Sequence, residues 1–241
     1  MGRRELAWTG FALGVAALIG LYVWLSREPE PEPVDTVALE AERQEEARER
    51  EEQWNAIGAE SRELIPPAFE GLQLGMRRDR VQELRPQMRP NPQTMTNDDA
   101  PGLVFLEEDL PNGARAIFGF ETESQRLQRM QVLSLLPSSD AIGPHLAAMN
   151  ETYGAPTGIW QCPNTGGVPT RRFTWRHGRT TVMDIFLVYG GRVSVTLYIA
   201  PSGVAYASLM RAQCRPVQSR EEAVEFPVTT PEQMRATEGQ Q

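Results

Sequence analysis

Few side chains in this sequence carry reactive chemistry, and their scarcity is itself informative. The 241 residues include two cysteines, Cys162 and Cys214, and two histidines, His145 and His177. A zinc or transition-metal site draws on three or four such ligands at short spacing, and no paired Cys or His motif occurs. No metal and no cofactor is therefore expected. The cysteines matter through their compartment. In an oxidising one the pair would be bridged, closing a loop that the chain-entropy model values at about 4 kcal/mol. Two buried free thiols are the alternative.

Phosphate-binding loops, dinucleotide fingerprints and nucleophile elbows are all absent from the sequence. His177, beside Trp175 and Arg176, has the chemistry of a general base, but it falls in an expected hairpin turn with Gly178, where a solvated turn residue is the ordinary role. Asp184 interrupts the apolar run TTVMDIFLVY. It is solvated on a wet face, or paired across strands with Arg192 or Arg172, and only last a catalytic carboxylate. The acids Asp98, Asp99, Glu107, Glu108 and Asp109 lack the spacing of a calcium loop. No catalytic residue is expected, so the chain is read as a non-enzyme whose chemistry is recognition.

Recognition needs a surface, and the strand patterns supply one. In residues 192–200, Val193, Val195, Leu197 and Ile199 alternate with Arg192, Ser194, Thr196 and Tyr198, the pattern of one buried and one wet face. The wet residues Arg192, Ser194, Thr196 and Tyr198, with Trp175 and Arg176 at the rim, form the expected protein-binding surface. An exposed aromatic beside arginine is the kind of residue that dominates interface energetics.

The elements positioning that surface repeat at an offset of about 65 residues, too long for a solenoid but suited to a duplicated unit. In the first copy, residues 69–136, LGM leads into a short helix at 77–85 that Pro86 ends, and strands follow at 103–106, 114–121 and 127–136. In the second, residues 139–200, a helix opens at Gly143 and Pro144 and stops at Gly154. Strands at 171–175, 180–189 and 192–200 follow, the last two joined by Gly190 and Gly191, a strong hairpin signal. The expected fold class is α+β: a duplicated helix plus three-stranded antiparallel meander forming one sheet, with helices on one face. A further helix at 204–215 and a disordered tail at 219–241 complete the domain.

The segments LQLGMRRDRVQELRP and IGPHLAAMNETYGAP resemble the helix opening of the small envelope lipoproteins of the BamE/SmpA type, and two such units in tandem are similar to beta-lactamase inhibitor protein-like folds. That resemblance covers Phe69 to about Ala200. It implies an envelope protein that binds other proteins through a concave sheet, with no catalytic residues to carry over. The chain departs from the lipoprotein pattern in having no lipobox cysteine.

N-terminal to this domain, residues 6–26 are uncharged and long enough to span a bilayer as a helix. Arg3 and Arg4 before them and Glu28, Glu30, Glu32 and Asp35 after them place a tail at 1–5 in the cytoplasm and the remainder outside it. The expected location is the bacterial inner membrane, single-pass, with a cleaved signal as the rival reading. Residues 27–67 read as a charged linker and solvated stalk helix, open to weak self-association. The net charge of -8, with every basic residue an arginine, provides no basic stripe for a nucleic-acid partner. An envelope protein is the expected partner. The alternative function is a ligand sensor or enzyme with its site in a helix–sheet crevice, and a third is a purely structural stalked domain.

Overall fold

The computed structural model describes residues 36–91, 102–163, 169–189, 192–219, 222 and 228–229. The compact units divide between Arg48 and Glu49. The first contributes the opening of helix α1 (Thr36–Arg62), where Val37 is 75% exposed and Arg48 pairs with Glu45 at 2.7 Å. The dense Glu, Arg, Gln and Ala content favours helix through propensity alone.

Within the second unit, the rest of α1 belongs to the core. Ile57 is buried and Trp54 packs against the same cluster. Ser61 Oγ donates to Gly58 O and accepts from Leu74 N at 2.9 Å, Glu51 pairs with Arg126, and Glu60 accepts the Arg179 N–H at 2.6 Å. Gly75, at φ +79°, lets the chain pass the Trp54 ring, which an added Cβ would meet at 3.0 Å.

Helix α2 (Arg78–Leu84) buries Val81 and stops before Pro86. Helix α3 (Ile142–Tyr153) ends at Gly154, whose φ of +81° suits glycine. Helix α4 (Ser202–Arg211) buries Ala205 and Leu209 and exposes Tyr206 and Met210.

The strands are β1 (Arg89–Pro90), β2 (Leu103–Asp109), β3 (Arg115–Glu121), β4 (Leu127–Leu136), β5 (Gly158–Cys162), β6 (Thr170–His177), β7 (Thr180–Tyr189), β8 (Arg192–Pro201), β9 (Arg215–Pro216) and β10 (Val228–Thr229). Nine of them form one continuous sheet in the order β1-β2-β3-β4-β8-β7-β6-β5-β9, and β10 lies beside β7. Every pairing on that path is antiparallel. Chain-consecutive strands run outward on each side of the β4–β8 junction, four on one side and, with β9 added beyond β5, five on the other, and each edge ends in a two-residue Arg–Pro strand.

Several expectations are corrected here. The sheet is not a pair of three-stranded meanders, and so the unit suggested by the BamE/SmpA resemblance is not the unit of this fold. GIWQC pairs with β6 as β5, a strand outside the expected set. Nor do the helices share one face. The end of α1, α2 and α3 cover the inner face through Ile57, Val81 and Ile142, whereas Ala205 and Leu209 of α4 join Met183, Tyr198 and Ala200 in a separate cluster on the outer face. The single-pass inner-membrane location is also corrected: no helix among the described residues is long and apolar enough to cross a membrane. The span at 6–26 and the tail at 1–5 lie outside those residues, as do Gly190, Gly191, Asp98, Asp99 and most of the C-terminal tail.

Candidate functional site

The period-2 rule turns register into a map of the outer face. Across β4, β8, β7 and β6, Gln131, Tyr198, Met183 and Thr174 stand in one row. The next row is Leu133, Thr196, Ile185 and Arg172, continued by Trp160 on β5. Leu135, Ser194 and Leu187 follow. Helix α4 lies over the Tyr198–Met183 part, and the Cys162–Cys214 disulfide ties the chain beyond α4 to β5.

On the β2–β4 side, no described element covers the rows. There Phe105 and Ile117 form a small cluster with Leu103 and Leu133, capped by the Arg129 guanidinium 4.5 Å from the Phe105 ring. Beside them Arg89 and Arg115 alternate with Glu107 and Asp109 in a grid of ion pairs between 2.6 and 3.6 Å. The hydrogen bond from Arg89 holds the Asp109 carboxyl below its ordinary range. These opposite charges neutralise one another, so the grid carries little net field. At its edge a cleft of about 510 Å³ opens among Asn112, Gly113, Arg115, Leu133, Leu135 and Ser194. Leu135 is 66% exposed, one residue before the end of β4.

The residues expected to bind a partner separate in the structure. Ser194 and Thr196 are half-buried on the uncovered rows, and Arg192 is exposed at the start of β8. Tyr198 is corrected: it is 2% exposed beneath α4. Trp175 is corrected as well, being fully buried in the inner core, where its Nε1–H donates to Gly154 O at 2.8 Å and its ring stacks on Phe173. Arg176 is exposed but lines a different cleft, between α4 and the sheet, with Trp160, Thr181, Ser202 and Tyr206. Leu133, Leu135, Arg115 and Arg172 were not expected on the surface. For the two leucines the signal was the outward parity of QVLSLL against β8, which needed the register to be read.

Asp184 is neither solvated nor paired with arginine. Its partner on β6 is Phe173, so Arg172 stands on the opposite face. The carboxylate is buried on the inner face, accepting the His145 Nε2–H at 2.8 Å across the α3–sheet junction. Its Oδ1 has no hydrogen-bond partner among the described residues. Burial pushes the carboxyl pKa up, and the hydrogen bond from His145 opposes that. Nearby Tyr153 donates to Leu64 O at 3.0 Å, and burial raises its pKa to about 12. The pair pins helix to sheet. His145 makes no other hydrogen bond among the described residues.

Glu108 of the expected acidic cluster pairs instead with Arg85, which also lies 5.2 Å from the Phe69 ring. Among the described residues no group of three or more His, Cys, Asp or Glu side chains could hold a metal ion. No family model matches the chain, and neither a curated protein nor a solved structure does; none bears on the BamE/SmpA resemblance in either direction.

Proposed function

We propose that the chain is a protein-interaction module whose contact surface is the uncovered part of the outer sheet face, centred on Leu133, Leu135, Ser194 and Thr196. The observation that carries this reading is Leu135, an aliphatic side chain 66% exposed in a row with Ser194 and Leu187, at the wall of an open cleft. Leaving such a row in water forfeits about 25 cal/mol per Å² of apolar burial, which a docked partner recovers. The cleft is open rather than enclosed, with Leu133 and Leu135 beside Asn112, Arg115 and Ser194 on its walls, which favours a protein over a small ligand.

A photoreactive residue at position 135 tests this, with one at exposed position 83 of α2 as control. A single discrete protein adduct from 135 alone, lost when Leu133→Arg is added, is the expected result. Adducts that are identical from both positions, or none from 135, would sink the reading.

A further inference from the structure

We infer that this surface recognises an acidic side chain of a protein partner, whose carboxylate binds Arg172 and Tyr198 at the margin of α4. The inference rests on the outer face being the contact surface and adds the chemistry of what it binds.

Arg172 stands in the same cross-sheet row as Leu133, Thr196 and Ile185. It is half-buried, and among the described residues its Nε is buried without a hydrogen-bond partner while its NH1 reaches only Ser208 Oγ at 3.4 Å. A charge-assisted bond is ordinarily some 2.7–2.9 Å, so that contact yields readily to a carboxylate. No carboxylate pairs with Arg172 among the described residues. A sheltered cation without a counter-ion is costly. Burial accordingly lowers the Arg172 pKa, opposed by Tyr198.

Three other guanidiniums sheltered in this fold are compensated: Arg85 by Glu108 and the Phe69 ring, Arg126 by Glu51 and Gly75 O, and Arg129 by the Phe105 ring. Arg78, whose guanidinium reaches Gln125, stands on α2, and Arg171, 2% exposed, shares the inward parity of Phe173 on β6, so both lie away from the outer face.

Tyr198 supplies an independent observation. Its ring is 2% exposed, yet its Oη has no hydrogen-bond partner among the described residues. Buried hydroxyls are ordinarily satisfied. Both atoms are buried, so a carboxylate reaches them only as the Ser208 side of α4 gives way; it then takes the guanidinium N–H groups with one oxygen and the Tyr198 O–H with the other, removing both deficits together. Exposed Arg192, which makes no ion pair among the described residues, adds a second uncompensated cation on this face. The Arg89 and Arg115 charges are already neutralised by Glu107 and Asp109. On a chain of net charge -8, these local cations set the sign of what can dock.

The experiment selects random displayed dodecapeptides on the full chain with its disulfide intact. The best peptide is then measured by fluorescence anisotropy against the wild type, Arg172→Gln, Tyr198→Phe and Leu135→Arg, with a thermal melt of each. Selected peptides are expected to hold an Asp or Glu flanked by apolar residues. Arg172→Gln weakens binding about tenfold or more, as for a lost charged hydrogen bond. Replacing the peptide acid by its amide then causes no further loss in the Arg172→Gln background. Tyr198→Phe keeps the packing, so its weaker binding carries the test should Arg172→Gln fail to fold. Peptides without an acid that tolerate Arg172→Gln but are lost with Leu135→Arg overturn this inference and leave the contact surface standing. Binding indifferent to all three substitutions, or no peptide selected, overturns both. Full competition by millimolar inorganic phosphate overturns the commitment to a protein side chain, since any free anion would then serve.

Discussion

The two faces of the sheet are drawn from the same alternating strands and end in different states. The inner face carries one continuous apolar cluster running from Phe69 and Leu74 through Phe118 to Trp175 and Phe186, sealed by three helices. On the outer face there are two separate clusters, one held under α4 by a disulfide and one of two buried residues. The difference shows where stability and recognition are divided. The inner face supplies the packing, which leaves the outer face free to keep Leu135 in water and Arg172 without a counter-ion among the described residues.

The comparison is broken most directly at Trp175. Replacing it by Ala should cost about 3–5 kcal/mol, measured by denaturant unfolding. A loss below about 1 kcal/mol would mean that the inner cluster is not the load carrier this comparison requires. Next, Cys162→Ser with Cys214→Ser should cost about 2–4 kcal/mol. Hydrogen exchange should then speed up in α4 and around Tyr198 while α3 keeps its protection. Equal loosening of α3 would show that the faces are not independent.

A smaller effect sits at Asp184. Burial raises its carboxyl pKa above the ordinary 3.8, so the folded state holds the proton more tightly. Its stabilising contribution is complete below the unfolded value and is lost as pH rises through the folded one. Asp184→Asn keeps the shape and removes the buried charge, and so should gain about 1 kcal/mol at neutral pH. The two stability curves should converge toward acid. A variant less stable at neutral pH would show instead that the bond to His145 outweighs desolvation. The smallest change belongs to Leu135→Ser, within about 0.5 kcal/mol of the wild type, even as partner binding is lost.

The sequence carried the strand alternation well and the coverage poorly. Val193, Val195 and Ile199 are buried, as their spacing required. That spacing also put Tyr198 on the other side, correctly, but alternation reports only parity. Whether the second side is wet depends on what docks there, and α4 arrives from a helix with its own apolar stripe, fixed by a bridge spanning 52 residues. Asp184 was legible in principle, because Val182 and Phe186 at i±2 mark its side as the buried one. Its partner, His145, comes from another element 39 residues away, and no local pattern names it. Trp175 was misplaced because WRH beside a turn looks like a rim, whereas Phe173 and Trp175 share the parity of the core.

The Arg–Pro pairs at the two borders of the sheet have a bearing on behaviour at high concentration. Pro90 stands opposite Leu106 and Pro216 opposite Trp160. Neither proline has an N–H to offer a further strand, and each is preceded by a charge. A second molecule laid against either border therefore finds no continuous donor ladder to extend. Polymerisation strand by strand stops before it starts, and a nine-strand sheet can expose one apolar row to solvent without that row becoming the seed of a fibril.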